Sequence, residues 1–336
     1  MIILHMGFPK TGTTTLQRMF EANNDSLVAS GVCYPLIDSD FKQRYLKVFD
    51  HKRLHLEADS QANLKNSMRK MSERIERSGC STTILSCEEL NSPATAMHDR
   101  NNLRKLRAVL SEIDPDIRLV AYVRNPADFY LSMAQEFLKR RGRFLEPEGF
   151  SPNFASKIRV FEEVFEVTAS VRELSRPKLV ENDILRDFLS VCGLEHVDTS
   201  SWKKINANES LSPEVMFLLD VVRRTGQGAD KPVKYNPKQQ ERLWRKLRDA
   251  SRKVDTSAKP CLFEKVRDSV LFGSETDAIE LNKRYGIEFE EGKAVAENSV
   301  ELPKELLSEV ERIVPVDRRV ALAIWAQFTY AFFGAD

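Results

Sequence analysis

Gly7 and Gly12 lie within the stretch IILHMGFPKTGTTTLQRMF, residues 2 to 20, with the spacing of a phosphate loop. In the usual nucleoside-triphosphate loop, G-x-x-x-x-G-K-[ST], a lysine follows the second glycine and reaches the terminal phosphates. Here Thr13 follows Gly12, and the lysine is Lys10, inside the loop. A buried strand, a glycine turn and a helix starting near Thr13 or Thr14 present several unpaired backbone N–H groups and a positive helix end to one point, which is an anion site. Thr13, Thr14 and Thr15 add hydroxyl donors where threonine is only a middling helix former. A plain strand-to-helix turn would use the threonines merely as caps. Pro9-Lys10-Thr11 and the threonine run favour the anion site over that reading.

A second group of residues lies in VAYVRNPADFYLSMAQEFLKRR, residues 120 to 141. A buried strand delivers Arg124 to its carboxyl end, Asn125 caps a helix that begins at Pro126, and Asp128 falls in that helix's positive first turn. Ser132 follows two turns in. A guanidinium offers a fork of donors suited to a phosphate, and a serine hydroxyl can complete it. Taken alone, the same residues read equally as an ion-paired arginine and a helix-filling serine. A triphosphate hydrolase also needs a carboxylate at a neighbouring strand end to organise Mg²⁺. TTILS leads into Glu88 and Glu89, so a magnesium site stays open, although the displaced lysine argues against it.

The elements that must position these residues follow from the apolar pattern. Strands are expected at residues 2–6, 32–34, 82–86, 118–123 and 167–171, alternating with longer helical patterns. Runs such as LVAYV suit strands buried on both faces. The fold class is therefore α/β: a phosphate-loop-like, mostly parallel central sheet of about five strands flanked by helices. After about residue 200 the pattern turns helical, with Ser212-Pro213 and Asn236-Pro237 reading as helix starts and Lys238 to Lys253 as a solvated amphipathic helix. The expected organisation is an α/β core over residues 1–200 and a mainly helical part over 201–336, packed on that core and contributing to an acceptor cleft.

Fifty-one basic against fifty acidic residues give a formal net charge of +1, so no global field draws the 336-residue chain to nucleic acid. Cys33, Cys80, Cys87, Cys192 and Cys261 lack paired spacing, which fits a reducing compartment rather than a disulfide framework or zinc site. The first strand begins at Ile2, which leaves no room for a signal peptide, and the expected location is cytoplasmic. The apolar run VALAIWAQFTYAFF at 320 to 333 falls short of the roughly 20 residues a membrane span needs. It reads as a buried closing helix.

Together, FPKTGTTTLQ and RNPADFYLS resemble the cofactor sites of sulfotransferases that use 3′-phosphoadenosine 5′-phosphosulfate (PAPS). The resemblance extends more weakly to KLVENDILRDFLSVCGL at 178 to 194 and KKINANESLSPEVMFLLD at 203 to 220, as in bacterial carbohydrate-type sulfotransferases, and covers about the first two-thirds of the chain. It implies that Pro9, Lys10, Thr11, Gly12, Thr13, Thr14 and Thr15 bind the 5′-phosphosulfate, and that Arg124 and Ser132 grip the 3′-phosphate. The product would be adenosine 3′,5′-bisphosphate, and no metal would be required. The R-K-G triplet of cytosolic small-molecule sulfotransferases is absent from the sequence; Lys203 or Lys204 could substitute for it or lie solvated at the surface.

Under this resemblance Lys10 neutralises charge on the departing phosphate, and Glu88, following its strand at the same sheet edge, removes the acceptor's proton, with Glu89 as the alternative. Either carboxylate could instead cap the next helix or pair with a loop cation. His5, on the first strand, reads as a core histidine, while His51, His55 and His98 are weaker candidates for the base. The run Lys139, Arg140, Arg141, Arg143 either complements a helix end or attracts an acidic sugar. The acceptor implied is a hydroxyl on a glycan, glycolipid or small molecule. A nucleotide kinase and a catalytically idle nucleotide-binding protein are the alternatives.

Overall fold

The computed structural model describes residues 1–38, 40–49, 58–91, 100–141, 144–203, 205, 210–225, 236–254, 259–290, 292, 294–296 and 308–333. They form two compact units. The first comprises Met1–Asn125, Asn153–Asn208 and Thr276–Phe289, and the second comprises Pro126–Pro152, Glu209–Glu275 and Glu290–Asp336.

The first unit is built on five strands: β1 (Ile2–Met6), β2 (Val32–Cys33), β3 (Thr82–Cys87), β4 (Ile117–Val123) and β5 (Ser170–Glu173). They run in the order β2-β3-β1-β4-β5, and every pairing is parallel. All five residues of β1 and all six of β3 are buried, as expected where helices cover both faces of a parallel sheet. Helices of this unit are α1 (Thr13–Ala22), α2 (Asn24–Ala29), α3 (Ala58–Ser78), α4 (Arg100–Ile113), α6 (Phe154–Phe165), α7 (Ile184–Val191) and most of α11 (Glu275–Tyr285); α5 (Pro126–Arg141) belongs to the second unit.

On one sheet face, Ile3 of β1 pairs with Ile84 of β3. Both enter a core with Val120 and Tyr122 of β4, Leu16 and Phe20 of α1, and Phe188 of α7. Leu16, Met19 and Phe20 recur at helical spacing, which is why α1 lays one face on the sheet. Burying each such side chain contributes about 1.5–3 kcal/mol. The amino end of α6 is capped at long range, because Asn153 is left-handed and makes no side-chain cap. Asp277 of α11 instead accepts from the Phe154 and Ala155 amides at 2.9 and 2.8 Å.

The fifth strand lies three residues later than the apolar run 167–171 suggests. The helix before it continues to Phe165 and exits through a left-handed Glu166, and the Ala169 amide donates to Glu162 Oε1 at 2.9 Å. Residues 166–169 are thus occupied by the helix exit.

The second unit contains α5, α8 (Pro213–Thr225), α9 (Pro237–Arg252), α10 (Glu264–Gly273) and α12 (Arg318–Phe333). Two short strands, β6 (Leu262–Phe263) and β7 (Ala294–Val295), pair in parallel there. The proline-marked helix starts hold: the Val215 amide approaches Ser212 Oγ at 3.4 Å, and Asn236 forms a capping box with Gln239. Ala127, Tyr130, Ala134 and Leu138 of α5 share a core with Val215, Met216, Leu247 and Ile324. The closing helix α12 is not buried as its apolar sequence suggests. Ala321 and Ile324 face the core, while Leu322 and Tyr330 are 68% and 74% exposed, because a helix packed on one side buries only one stripe. Among the described residues no helix is long and apolar enough to cross a membrane.

A buried charge ties β4, β5 and α7 together. Asp187 of α7 is fully buried and accepts from Tyr122 Oη at 2.7 Å, Arg172 Nη2 at 2.6 Å and the Val180 amide at 3.1 Å. Burial pushes its pKa up, but the bonds from Arg172, Tyr122 and Val180 outweigh that and hold it below the usual carboxylate value. The stabilisation is therefore present above the unfolded-state pKa and is lost as pH falls through the folded one. Asp187→Ala is expected to cost about 2–3 kcal/mol at neutral pH, less than for a fully enclosed pair because Arg172 is 37% exposed. Urea unfolding should show the difference shrinking below about pH 4. A gap independent of pH would mean that the charge is not its source.

Candidate active site

The carboxyl edge of the sheet brings three predicted segments to adjacent strands. Met6, the last residue of β1, pairs with Cys87, the last of β3, so the chain leaves β1 as Gly7 beside the point where it leaves β3 as Glu88. β4 lies on the other side of β1 and runs on past its end before delivering Arg124.

Gly7 has no room for a side chain. A Cβ there would lie 2.6 Å from Thr13 Cγ2 and 2.9 Å from the Glu88 Cα, so the loop's entry is pressed against both the helix it feeds and the Glu88 backbone. Lys10 adopts a positive φ of 61°, an uncommon conformation for a residue with a Cβ. Gly12, at φ 84°, forms the left-handed N-cap of α1 and makes no side-chain cap bond. The Thr11 and Thr13 hydroxyls both donate to the Phe8 carbonyl, at 2.9 and 3.2 Å. Those two threonines therefore brace the loop through its own backbone. The Thr15 and Leu16 amides both donate to the Gly12 carbonyl, at 2.9 and 3.2 Å, whereas the Thr13 and Thr14 amides at the positive end of α1 have no carbonyl one turn back. Beside the partly exposed Thr14 and Thr15, they form a cradle suited to an anion.

Glu88 opens the short 3₁₀ turn Glu88–Asn91 and is partly exposed. Arg124 is also partly exposed. Pro9, Lys10, Thr11, Gly12, Thr13, Thr14, Thr15, Glu88 and Arg124 all belong to the first unit, whereas Ser132 lies in α5 of the second. The expected helix start at Pro126 is observed, with Asp128 in the first turn of α5.

Of the cationic run, Lys139 is buried with its ammonium 5.4 Å from the Trp244 ring centroid, and Arg140 pairs with Glu136. The side chain of Arg141, that of Glu89, and Arg143 lie outside the described residues, as do His51, His55, His98 and Lys204. Lys203 is exposed, and its amide donates to Asn23 Oδ1 at 3.0 Å. His5 is fully buried, with Nδ1 2.8 Å from Ser86 Oγ, and burial lowers its pKa to about 3. An imidazole held neutral and sealed from solvent is a core residue, as its place in β1 suggests.

Two features beside the loop carry no sequence motif. Lys157 of α6 places its ammonium 6.0 Å from the Phe8 ring centroid. Burial lowers its pKa, partly countered by Asp277. Gln17, one turn beyond Thr13 on α1, donates to the Ser86 carbonyl at 2.8 Å. Only its helical spacing from Thr13 marks it in the sequence.

A sequence model of the sulfotransferase domain matches residues 2–181, which contain the loop, Glu88, Arg124 and Ser132. A crystal structure of a sulfotransferase from Alicyclobacillus acidocaldarius is similar at 16% identity and a TM-score of 0.35, over 66% of this chain and 91% of that one. No curated protein sequence matches at a significant level. With more than half of its 336 residues spanned by the domain match, the chain belongs to the sulfotransferase family.

Proposed function

We propose that the protein transfers a sulfuryl group from PAPS to a hydroxyl, on a carbohydrate or glycolipid. The observation that carries this reading is the junction at Gly7, where a lysine-bearing anion cradle emerges directly against the backbone of Glu88. The cradle fits a phosphosulfate. Gly7 and Gly12 keep the backbone open, α1 begins at the loop with its positive end, and Lys10 supplies a cation within it.

The donor supplies a sulfuryl group on a phosphate leaving group, and little covalent work falls to the protein. Lys10 neutralises charge at the departing phosphate, while Pro9, Thr11, Gly12, Thr13, Thr14 and Thr15 shape and line the cradle. Arg124 and Ser132 are assigned to the 3′-phosphate by their match to the family motif. Glu88 takes the proton of the acceptor hydroxyl, and a positioned base contributes about 10²–10⁴-fold. No residue role here calls for a metal. A cytoplasmic location belongs to the same proposal and rests on the scattered cysteines. The carbohydrate acceptor rests on the resemblance of residues 178–194 and 203–220 to bacterial carbohydrate-type enzymes.

Three outcomes are expected. Adenosine 3′,5′-bisphosphate at a hundredfold excess over its Kd should stabilise the fold by about 2.7 kcal/mol in thermal melts. Equal or greater stabilisation by ATP with magnesium would favour a kinase. Lys10→Ala should lower kcat by about 10²–10³-fold with Tm preserved, whereas a collapsed melt would make the lysine structural. Glu88→Gln should lower kcat by about 10²-fold or more and leave bisphosphate affinity unchanged; an unaltered rate would remove Glu88 as the base.

A further inference from the structure

Beneath the loop, the core of the first unit changes character. Ile3 and Ile84 pair across β1 and β3 within the apolar cluster. Two residues further along the same face the paired positions are His5 and Ser86, joined by Gln17 from α1 and Gln43 from the segment after β2. All four are 0% exposed.

Ser86 is held almost entirely by side chains. β2 has already ended, its last pairing being Cys33 with Thr83, so among the described residues no strand continues beside Ser86 on that side. Gln43 Oε1 accepts from the Ser86 amide at 2.7 Å, and Gln17 Nε2 donates to the Ser86 carbonyl at 2.8 Å. Two glutamines thus stand in for the missing ladder. The Ser86 hydroxyl is 2.8 Å from His5 Nδ1, and Gln17 Nε2 approaches it at 3.4 Å. The direction of the His5–Ser86 bond is set by the imidazole tautomer. His5 Nε2 and Gln17 Oε1 are buried without a protein partner. An apolar core would avoid that penalty, as the Ile3–Ile84 layer does.

Three of the four members sit close to the site along the chain. Ser86 is two residues before Glu88, His5 is two before Gly7, and Gln17 is one helical turn beyond Thr13, whose methyl crowds Gly7. We infer that His5, Gln17, Gln43 and Ser86 form a positioning cluster that fixes the spacing between the Lys10 loop and Glu88, an inference that rests on the sulfuryl-transfer reading of that site. A slip of α1 along β3 would move the cradle relative to the carboxylate. Ser86 resists such a slip because it is bonded to the helix and to both neighbouring chain segments at once. The cluster touches no reacting atom and acts through Glu88 and the loop. Because burial lowers the His5 pKa to about 3, the imidazole stays neutral throughout the working pH range and its bond to Ser86 does not switch.

The test is a double-mutant cycle on the full chain, paired with amide hydrogen exchange. Ser86→Ala, and independently Gln17→Met, should lower kcat about tenfold with donor KM and bisphosphate affinity within about twofold, since small misplacements at a reacting centre are costly. In a Glu88→Gln background the same substitutions should change kcat by less than about twofold. Equal losses in both backgrounds would overturn the positioning role. Amides of residues 7, 8, 10–13 and 88–91 should exchange about fivefold or more faster in either variant while those of β4 and β5 keep their rates. Unchanged exchange at the loop would overturn the inference whatever the activity. If the parent protein transfers no sulfuryl group, the functional reading fails, and the exchange rates alone decide whether the cluster holds the loop.

Discussion

The site depends on the absence of one atom. A Cβ at Gly7 would sit within 3 Å of both a Thr13 methyl and the Glu88 Cα, so only glycine lets the end of β1, the start of α1 and the end of β3 meet without displacement. The parallel register supplies the rest. With Met6 paired to Cys87, the residues that follow leave the sheet edge side by side, and the loop and the Glu88 backbone become neighbours through strand pairing alone. In a parallel sheet, loops at the carboxyl ends of adjacent strands share one edge. β1 lies between β3 and β4, which puts the loop between the exits to Glu88 and Arg124.

What could be read from the amino acids was what repeats or is spaced locally. The loop was legible because two glycines, a lysine and a threonine run occur within a few residues. β1, β3 and β4 were legible because strands buried on both faces show as short runs of β-branched and apolar residues. β5 starts three residues into its apolar run because Glu166 takes a left-handed conformation and Glu162 binds the Ala169 amide, local choices that hydrophobicity does not encode. The two-residue strands β6 and β7 are too short to show a period. α12 looked uniformly apolar, yet Leu322 and Tyr330 face outward, because composition does not say how many sides of a helix will find partners.

The buried polar layer was illegible for a different reason. Gln17 and Ser86 are 69 positions apart, His5 and Ser86 are 81, and Gln43 and Ser86 are 43. Nothing in the chain marks them as partners until the strands pair. Single glutamines and serines in apolar surroundings read as substitutions within a helix or strand, and only coordinates show that they complete one another's hydrogen bonds. A short edge strand explains why they are needed. Where β2 stops, the backbone of β3 must still be satisfied, and side chains do it.

The displacement of the lysine has a mechanical consequence. In a triphosphate loop the lysine belongs to the first turn of the helix, and its direction is set by helical geometry. Lys10 instead sits in the loop at φ 61°, where its direction is set by the turn. A left-handed residue with a side chain costs about 1–2 kcal/mol, and it persists only where its surroundings hold it. Thr11 and Thr13 hold it by converging on the Phe8 carbonyl, and Phe8 is itself locked against Phe154 with ring centroids 4.9 Å apart. The threonine run thus has two roles divided by position. Thr11 and Thr13 fix the backbone from within, while Thr14 and Thr15 stay partly exposed at the start of α1. A loop braced this way fixes the direction in which the Lys10 side chain leaves the backbone, and pre-positioned charge is what the proposed group transfer asks of it.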